Sequence, residues 1–408
     1  MNPIRHIWRS TNTLVFTEQF LFSGTNFVML LLLARILSPP IFGIYSTITL
    51  LILLAIGISN SIVIQPYQVS PSKFRQPAYD HFIFIFQLLV IALLILIGLI
   101  LKVCLSYDNY YFKETSFLAT VIILHDFFRK YFLAKKNLSI ALKVGIVLSL
   151  MQLIGLLYLK QAHINHLGNV LYVLALCYVP AIIYSILKLN LSFYKNRLWR
   201  IFLYYHLKEG RWLGLVSFLQ WSSGNLLVLS LALFINAEAL GAFRLVQSLF
   251  GILNILFQTF ENYVLPNASR LYAVSVTRSK EYLRRTSLHS SILISFILVI
   301  LFIYSGQIMK FAGGNKYEDY EYIVRGMCFL YFILFIGYPV RLSIRMLVLN
   351  KLFFLGYLLS FLSSVLFFNF LLKHWQLHGV IIGLVLNQLI MLTFWNYQLN
   401  KKGFYLWK

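Results

Sequence analysis

Acidic side chains are scarce in this sequence: Asp and Glu together number 12 in 408 residues, against 35 Lys and Arg, and all charged residues make up only 12%. A soluble globular chain carries roughly 25% charged residues, so a water-bathed fold of this length is excluded. Cysteine is equally sparse. Cys104, Cys177 and Cys328 stand far apart in apolar surroundings without the paired spacing of a metal or redox site, which leaves them as packing residues. No Gly-rich phosphate loop ending in Lys-Ser/Thr occurs, which argues against direct nucleotide-driven pumping. Neither a His/Glu pair at metalloprotease spacing nor a G-x-S-x-G elbow is present. No catalytic residue, metal ligand or cofactor is therefore expected, and the short outer loops leave no room for a separate catalytic domain.

What fills the chain instead is apolar: 60% hydrophobic residues, 17% aromatic, and a mean hydropathy of +0.78. Runs of about 20 such residues, long enough to cross a ~30 Å hydrocarbon core as helices, recur throughout. They predict an all-α polytopic membrane protein with twelve spans. In the first half these are Leu14–Leu37, Ile41–Ile64, His81–Val103, Phe117–Leu133, Leu142–Leu159 and Leu167–Leu187. In the second half they are Trp212–Ile235, Leu240–Leu265, Ser287–Met309, Tyr322–Leu349, Leu352–Leu372 and Gly379–Leu399. The basic start MNPIRHIWR imitates a signal peptide, but the run after it is too long and lacks a small-x-small cleavage site, so it is read as the first span.

Placing both termini in the cytoplasm puts 26 of the 35 Lys and Arg on inner segments, as the positive-inside rule requires. The same rule accounts for most of the net charge of +23, so no nucleic-acid partner is expected, while attraction to anionic membrane lipids follows. Six basic residues lie between Lys188 and Arg211, a polar segment read as a cytoplasmic linker at 188–211 between an N-terminal lobe, 1–187, and a C-terminal lobe, 212–408.

Two stretches support that division. Phe20–Pro66 and Phe218–Pro266 align Asn26 with Asn225, Gly43 with Gly241 and Pro66 with Pro266, at offsets of 199, 198 and 200. Each copy reads as a long helix with early small and polar residues, a very short outer turn, a Gly near the next helix start and a Pro after its end. Each opens a set of six spans, which is the parallel-repeat arrangement.

Polar groups at membrane depth are costly and usually face an interior or a water-filled cavity. In span eight, Arg244, Gln247, Gly251, Asn254, Gln258 and Glu261 recur at helical spacing within a sector of about 100°, which reads as a hydrated cavity wall. Span one carries Gln19, Ser23 and Asn26 on one stripe, with Glu18 and Thr25 beside it, and span seven carries Ser217, Gln220 and Gly224 beside Ser222 and Asn225. The small residues there fit a cavity or close helix packing equally well. In span four, Asp126 precedes Arg129 and Lys130 by three and four residues, and His125 precedes Arg129 by four, spacings that allow pairing on one helix face. That cluster reads either as a solvated cytoplasmic helix end or as a cationic site with Asp126 as counter-ion. Glu18, Asp126 and Glu261 are the carboxylates placed to couple an ion.

The first span ends in LLLARILSPPIFGIYS, residues 31–46. This resembles the N-terminal signature ARxLGPxxFGxYS of the polysaccharide (Wzx-type) flippases in the multidrug/oligosaccharidyl-lipid/polysaccharide exporter superfamily, through Ala34, Arg35, Leu37, Pro39, Phe42, Gly43, Tyr45 and Ser46. LGAFRLVQSL, from Leu240 to Leu249, is similar to the family's LGxYxxAQxL. Ser38, Pro40, Ile41 and Phe243 depart from those patterns. The resemblance implies a transporter, not an enzyme, that flips an undecaprenyl-diphosphate-linked oligosaccharide across a bacterial inner membrane by alternating access. It also implies a glycan polymerase and chain-length machinery as further partners. Arg35, at the outer end of span one, then either snorkels to the interface or reaches a substrate cleft. A cation-coupled drug exporter of the same superfamily and a polytopic glycan polymerase or ligase are the alternative readings.

Overall fold

The structure, a computed structural model, describes residues 11–70, 77–104, 111–189 and 198–407. Residues 1–10 with Arg5 and Arg9, 71–76 with Lys73 and Arg75, 105–110, 190–197 and 408 lie outside the described residues. Among those described, every regular element is a helix. They are α1 (Thr11–Ile36), α2 (Pro39–Gln68), α3 (Pro77–Cys104), α4 (Phe112–Ala134), α5 (Leu138–Gln161) and α6 (Leu167–Leu187). There follow α7 (Trp199–Phe234), α8 (Ala237–Val274), α9 (Val276–Ile303), the short α10 (Ser305–Gly313), a 3-10 turn at Asn315–Tyr320, α11 (Glu321–Met346) and α12 (Asn350–Lys401).

Nine of the described helices are long and apolar enough to cross a membrane. The expected spans four and eight, α4 and α8, are long helices outside these nine: α4 carries Asp126, Arg129 and Lys130 close together, and part of α8 lies outside the described residues. Spans eleven and twelve appear as the single 52-residue run α12, yet they are two antiparallel helices. Gln376, at φ 48° and ψ −123°, reverses the chain. Beyond it Ser363 Oγ donates to Asn387 Oδ1 at 2.7 Å and Trp395 Nε1 donates to the Leu352 carbonyl at 3.0 Å. Gly379 completes the reversal: a Cβ there would lie 2.2 Å from the Leu371 carbonyl oxygen. Twelve long helical segments result, as the hydropathy pattern predicts.

Three expectations need correction. The segment 188–211 is helical from Trp199 onward and runs unbroken into span seven, since nothing between Trp199 and Phe234 interrupts the i to i−4 ladder. Span nine ends at Ile303, with Tyr304 leading into the separate helix α10 instead of continuing to Met309. Pro66 and Pro266 lie inside their helices, not after them.

At Pro66 the reason is visible: α2 widens into a π turn over Asn60–Ile64 just before it. In α-helical register the Ile62 carbonyl would accept from residue 66, which as proline has no N–H. His206 Nδ1 donates to that carbonyl at 2.9 Å. Because a carbonyl only accepts, the other ring nitrogen, Nε2, is the acceptor and takes the Tyr79 hydroxyl at 2.7 Å. His206 is fully buried, packed against Phe82, Phe86 and Tyr79.

The chain forms two compact units. The first comprises Met1–Leu37 and Ile48–Phe218, the second Ser38–Thr47 and Leu219–Lys408, so the boundary falls within α2 and within α7. In the first unit α1 packs on α5, α5 on α6, and α4 on both α5 and α6. In the second, α11 packs on α8, α9 and α12, and α8 on α9. The opening of α2 belongs to this second unit, where Gly43 and Gly241, the pair aligned by the repeat, touch each other. A Cβ on Gly43 would fall 1.8 Å from the Ala237 carbonyl oxygen, and one on Gly241 would fall 3.1 Å from the Gly43 Cα. The turns before α2 and α8 are equally short: residues 37–38 in one, and 235–236 in the other, where Asn236 caps α8 by accepting from the Ala239 amide at 2.7 Å.

Candidate functional site

In the first unit the polar residues of α1 and α4 meet, but not in the pairs their spacing allows. Arg129 does not turn to Asp126 on its own helix. It grips Glu18 of α1 through Nε and through Nη2, the latter at 3.0 Å from Oε2, and Nη2 also donates to Gln19 Oε1 at 2.7 Å. Its guanidinium lies 4.0 Å from the Phe22 ring centre. Both charged side chains are buried, at 8% and 2% exposure. Asp126 pairs with Lys130 at 2.8 Å, as expected for i and i+4, and accepts from Asn60 Nδ2 at 2.8 Å. Asn60 opens the π turn, a distortion frequent at functional positions in helices. His125 stacks against Phe22 with a centroid distance of 6.4 Å, edge-on to Tyr178, and does not pair with Arg129.

Glu18 thus carries an internal counter-ion, and so does Asp126. Removing one member of a buried pair such as Glu18–Arg129 would leave the other charge uncompensated. Gln19 is further tied to Ser23 at 3.2 Å, and Thr25 to Ser149 at 2.8 Å. Asn26 is half-buried on the same helix, and Arg35 is exposed in its last turn.

The second unit is built differently. Phe243, Phe250, Leu253 and Phe257 form the buried face of α8, with Phe250 and Phe257 against Tyr331 of α11. The predicted polar stripe lies off that face. Arg244 and Gln247 are half-buried and joined by a 3.0 Å hydrogen bond from Nη1 to Oε1. Asn254 is exposed and accepts from the Tyr331 hydroxyl at 3.1 Å. Buried Tyr45, from the opening of α2, lies within electrostatic range of Arg244. Arg244 takes part in no ion pair among the described residues, and its Nε has no hydrogen-bond partner. Gln258 and Glu261 belong to α8, but their side chains lie outside the described residues. Asn225 is half-buried on α7 and bonds back to the Trp221 carbonyl at 3.0 Å.

Three glycines of these helices do not serve close packing, unlike Gly241 and Gly210. A Cβ on Gly24, Gly224 or Gly251 would meet nothing within 4 Å, so all three sit beside open space. The polar pattern did not single out Asn60, Tyr331 or Asn387, and Tyr45 entered only through the resemblance of residues 31–46. Asn60 carried a signal, being an amide deep in the apolar run of α2. Asn387 is buried and bridges α7 and α12, donating to the Ser223 carbonyl at 3.1 Å and to Ser364 Oγ at 2.7 Å.

The architecture is that of an all-helical, multi-pass membrane protein with the fold of the multidrug/oligosaccharidyl-lipid/polysaccharide transporters. Among solved structures, the lipid II flippase MurJ in an inward closed conformation superposes with a TM-score of 0.70 at 12% identity, covering 94% of this chain and 86% of that one. A multidrug resistance MATE family transporter of the same superfamily, in an inward-facing conformation, gives 0.67 at 11% identity, covering 95% and 93%. The VcmN MATE transporter of Vibrio cholerae gives 0.61 at 13% identity, covering 97% and 99%. The sequence matches no protein-family model and no curated protein.

Proposed function

We propose that this chain is a flippase that moves an undecaprenyl-diphosphate-linked oligosaccharide from the cytoplasmic to the outer leaflet of a bacterial inner membrane, with Arg244 receiving the diphosphate. The carrying observation is the contrast between two arginines. Arg129 is closed off by Glu18, whereas Arg244 is half-buried and forms no ion pair with a carboxylate among the described residues. A partly desolvated cation without a counter-ion is costly unless a ligand supplies one, and a diphosphate does so with paired oxygens suited to a guanidinium. Gln247 and Asn254 follow on the same stripe as hydrogen-bonding groups for a glycan. Two lobes, 1–187 and 212–408, related by the parallel repeat and with both termini cytoplasmic, would alternate access around the head group while the lipid tail stays in the bilayer.

The neighbouring MATE folds raise a second reading, export of small organic cations. A site for such cations needs unpaired carboxylates, and of the three membrane-depth carboxylates Glu18 and Asp126 are neutralised within the chain, while the Glu261 side chain lies outside the described residues. The test is flipping of a fluorescent polyprenyl-diphosphate oligosaccharide in proteoliposomes. Hydrogen bonds to a charged group contribute about 1.5–3 kcal/mol, so Arg244→Ala should slow flipping by about ten- to a hundredfold, with Arg244→Lys between it and wild type. Wild-type flipping by Arg244→Ala would remove the site, and efflux of cationic dyes without any flipping would favour the exporter. Glycan elongation by the purified chain alone would make it a polymerase.

A further inference from the structure

The first unit contains a groove of about 370 Å³ between α2, α3 and α4 that plays no part in the reading above. Its body is apolar: Ile48, Leu51, Ile52 and Ala55 of α2, then Ile91, Leu94 and Ile95 of α3, closed below by Ile123 of α4. Polar groups gather toward one end, where Lys102 of α3 meets Thr115 and Ser116 of α4. The Lys102 ammonium stands 5.4 Å from the Phe112 ring centre, which holds the cation at the groove mouth. Among the described residues the Thr115 hydroxyl has no hydrogen-bond partner.

The groove's length is informative. It runs from Lys102 to Ile91 along α3 and from Phe112 to Ile123 along α4, about eleven residues on each, or ~16 Å at 1.5 Å per residue. Half of a ~30 Å hydrocarbon core is ~15 Å. The groove is thus as long as one leaflet is deep, leading from a cation at the end of α3 to the middle of that helix. Around it, Leu89, Leu93, Leu96 and Ile100 of α3 are exposed, as for a helix in contact with lipid.

We propose that this groove holds one acyl chain of an anionic glycerophospholipid, with Lys102 and Thr115 receiving its phosphate. The depth of a single leaflet suits an acyl chain and is too short for an undecaprenyl tail, so the site is separate from the proposed transport substrate.

The test is native mass spectrometry of the detergent-purified full chain, offered phosphatidylglycerol or phosphatidylcholine in mixed micelles. Wild type should retain phosphatidylglycerol about five- to tenfold better. Lys102→Glu should abolish that preference, Thr115→Val should weaken it, and Lys102→Arg should keep it. Ala119→Phe, which fills the groove, should lower retention of both lipids. The proposal fails if wild type shows no preference, if Lys102→Glu and Thr115→Val both retain phosphatidylglycerol as wild type does, or if groove filling changes nothing. Comparing only variants with the wild-type elution profile separates these outcomes from misfolding, and no outcome depends on flipping.

Discussion

Replacing Glu18 by Gln removes the counter-ion of Arg129 while keeping the shape of the side chain. The pair is almost sealed, at 8% and 2% exposure, and leaving one member of such a pair alone costs about 3–5 kcal/mol. Arg129 would keep its 2.7 Å bond to Gln19 and its seat over Phe22 at 4.0 Å, which places the loss at the lower end, about 3 kcal/mol. Arg129→Met alone should cost more, because no other hydrogen bond or ion pair to Glu18 is present among the described residues. The double variant should return to within about 1 kcal/mol of wild type, since a buried pair replaced by neutral groups of similar volume is often neutral. The assay is the rate of thermal inactivation in detergent at fixed temperature, the appropriate measure where unfolding is irreversible. Expressed wholly in that rate, 3 kcal/mol is about a hundredfold. Single-variant effects that add to within about 0.5 kcal/mol in the double variant would refute the pairing. If Glu18 couples an ion instead, Glu18→Gln would keep wild-type stability and lose only transport.

Gly43→Ala should sharply reduce the folded, monodisperse fraction on size-exclusion chromatography, because its Cβ would overlap a backbone carbonyl, while Gly24→Ala, with open space around it, should behave as wild type. His206→Ala should lower the thermal midpoint by removing the His206 partner of the Ile62 carbonyl and one partner of the Tyr79 hydroxyl, a loss of about 1–3 kcal/mol for a buried carbonyl left unpaired. Adding Pro66→Ala restores an N–H to that stretch and should recover part of the loss; no recovery would show that the carbonyl does not depend on His206. Gln376→Gly should raise the thermal midpoint, relieving about 1–2 kcal/mol of left-handed strain in the α12 reversal.

The helical architecture was legible because hydropathy counts apolar residues, and twelve runs gave twelve long segments. The residues the count handled worst were those at which a tertiary partner outweighs a local rule. Pro66 reads as a terminator, yet α2 passes through it by widening into a π turn whose loosened carbonyl is met by His206, 144 residues further on. Lys373–His378 reads as a loop, yet one residue of unusual φ turns the chain. At the candidate site, helical spacing correctly brought Asp126 to Lys130 but could not weigh Glu18 against Asp126 as the partner of Arg129, because that choice depends on how α1 and α4 face each other. The polar stripe on α8 was legible for the opposite reason, since period and chemistry there need no second helix.

The two repeats share a scaffold and divide its electrostatics unequally. In the first copy's unit each named membrane-depth carboxylate is matched by a basic residue of the same unit: Glu18 by Arg129, Asp126 by Lys130. The α8 stripe in the second copy's unit carries Arg244, with the Gln247 amide as its hydrogen-bond partner among the described residues. Folding energy explains the first arrangement without any ligand, because the pairs complete themselves. It does not explain the second, since replacing Arg244 with an apolar residue would remove a desolvation cost and sacrifice only one hydrogen bond to Gln247. On the reading proposed above, the diphosphate of the substrate supplies the counter-charge that the described residues do not.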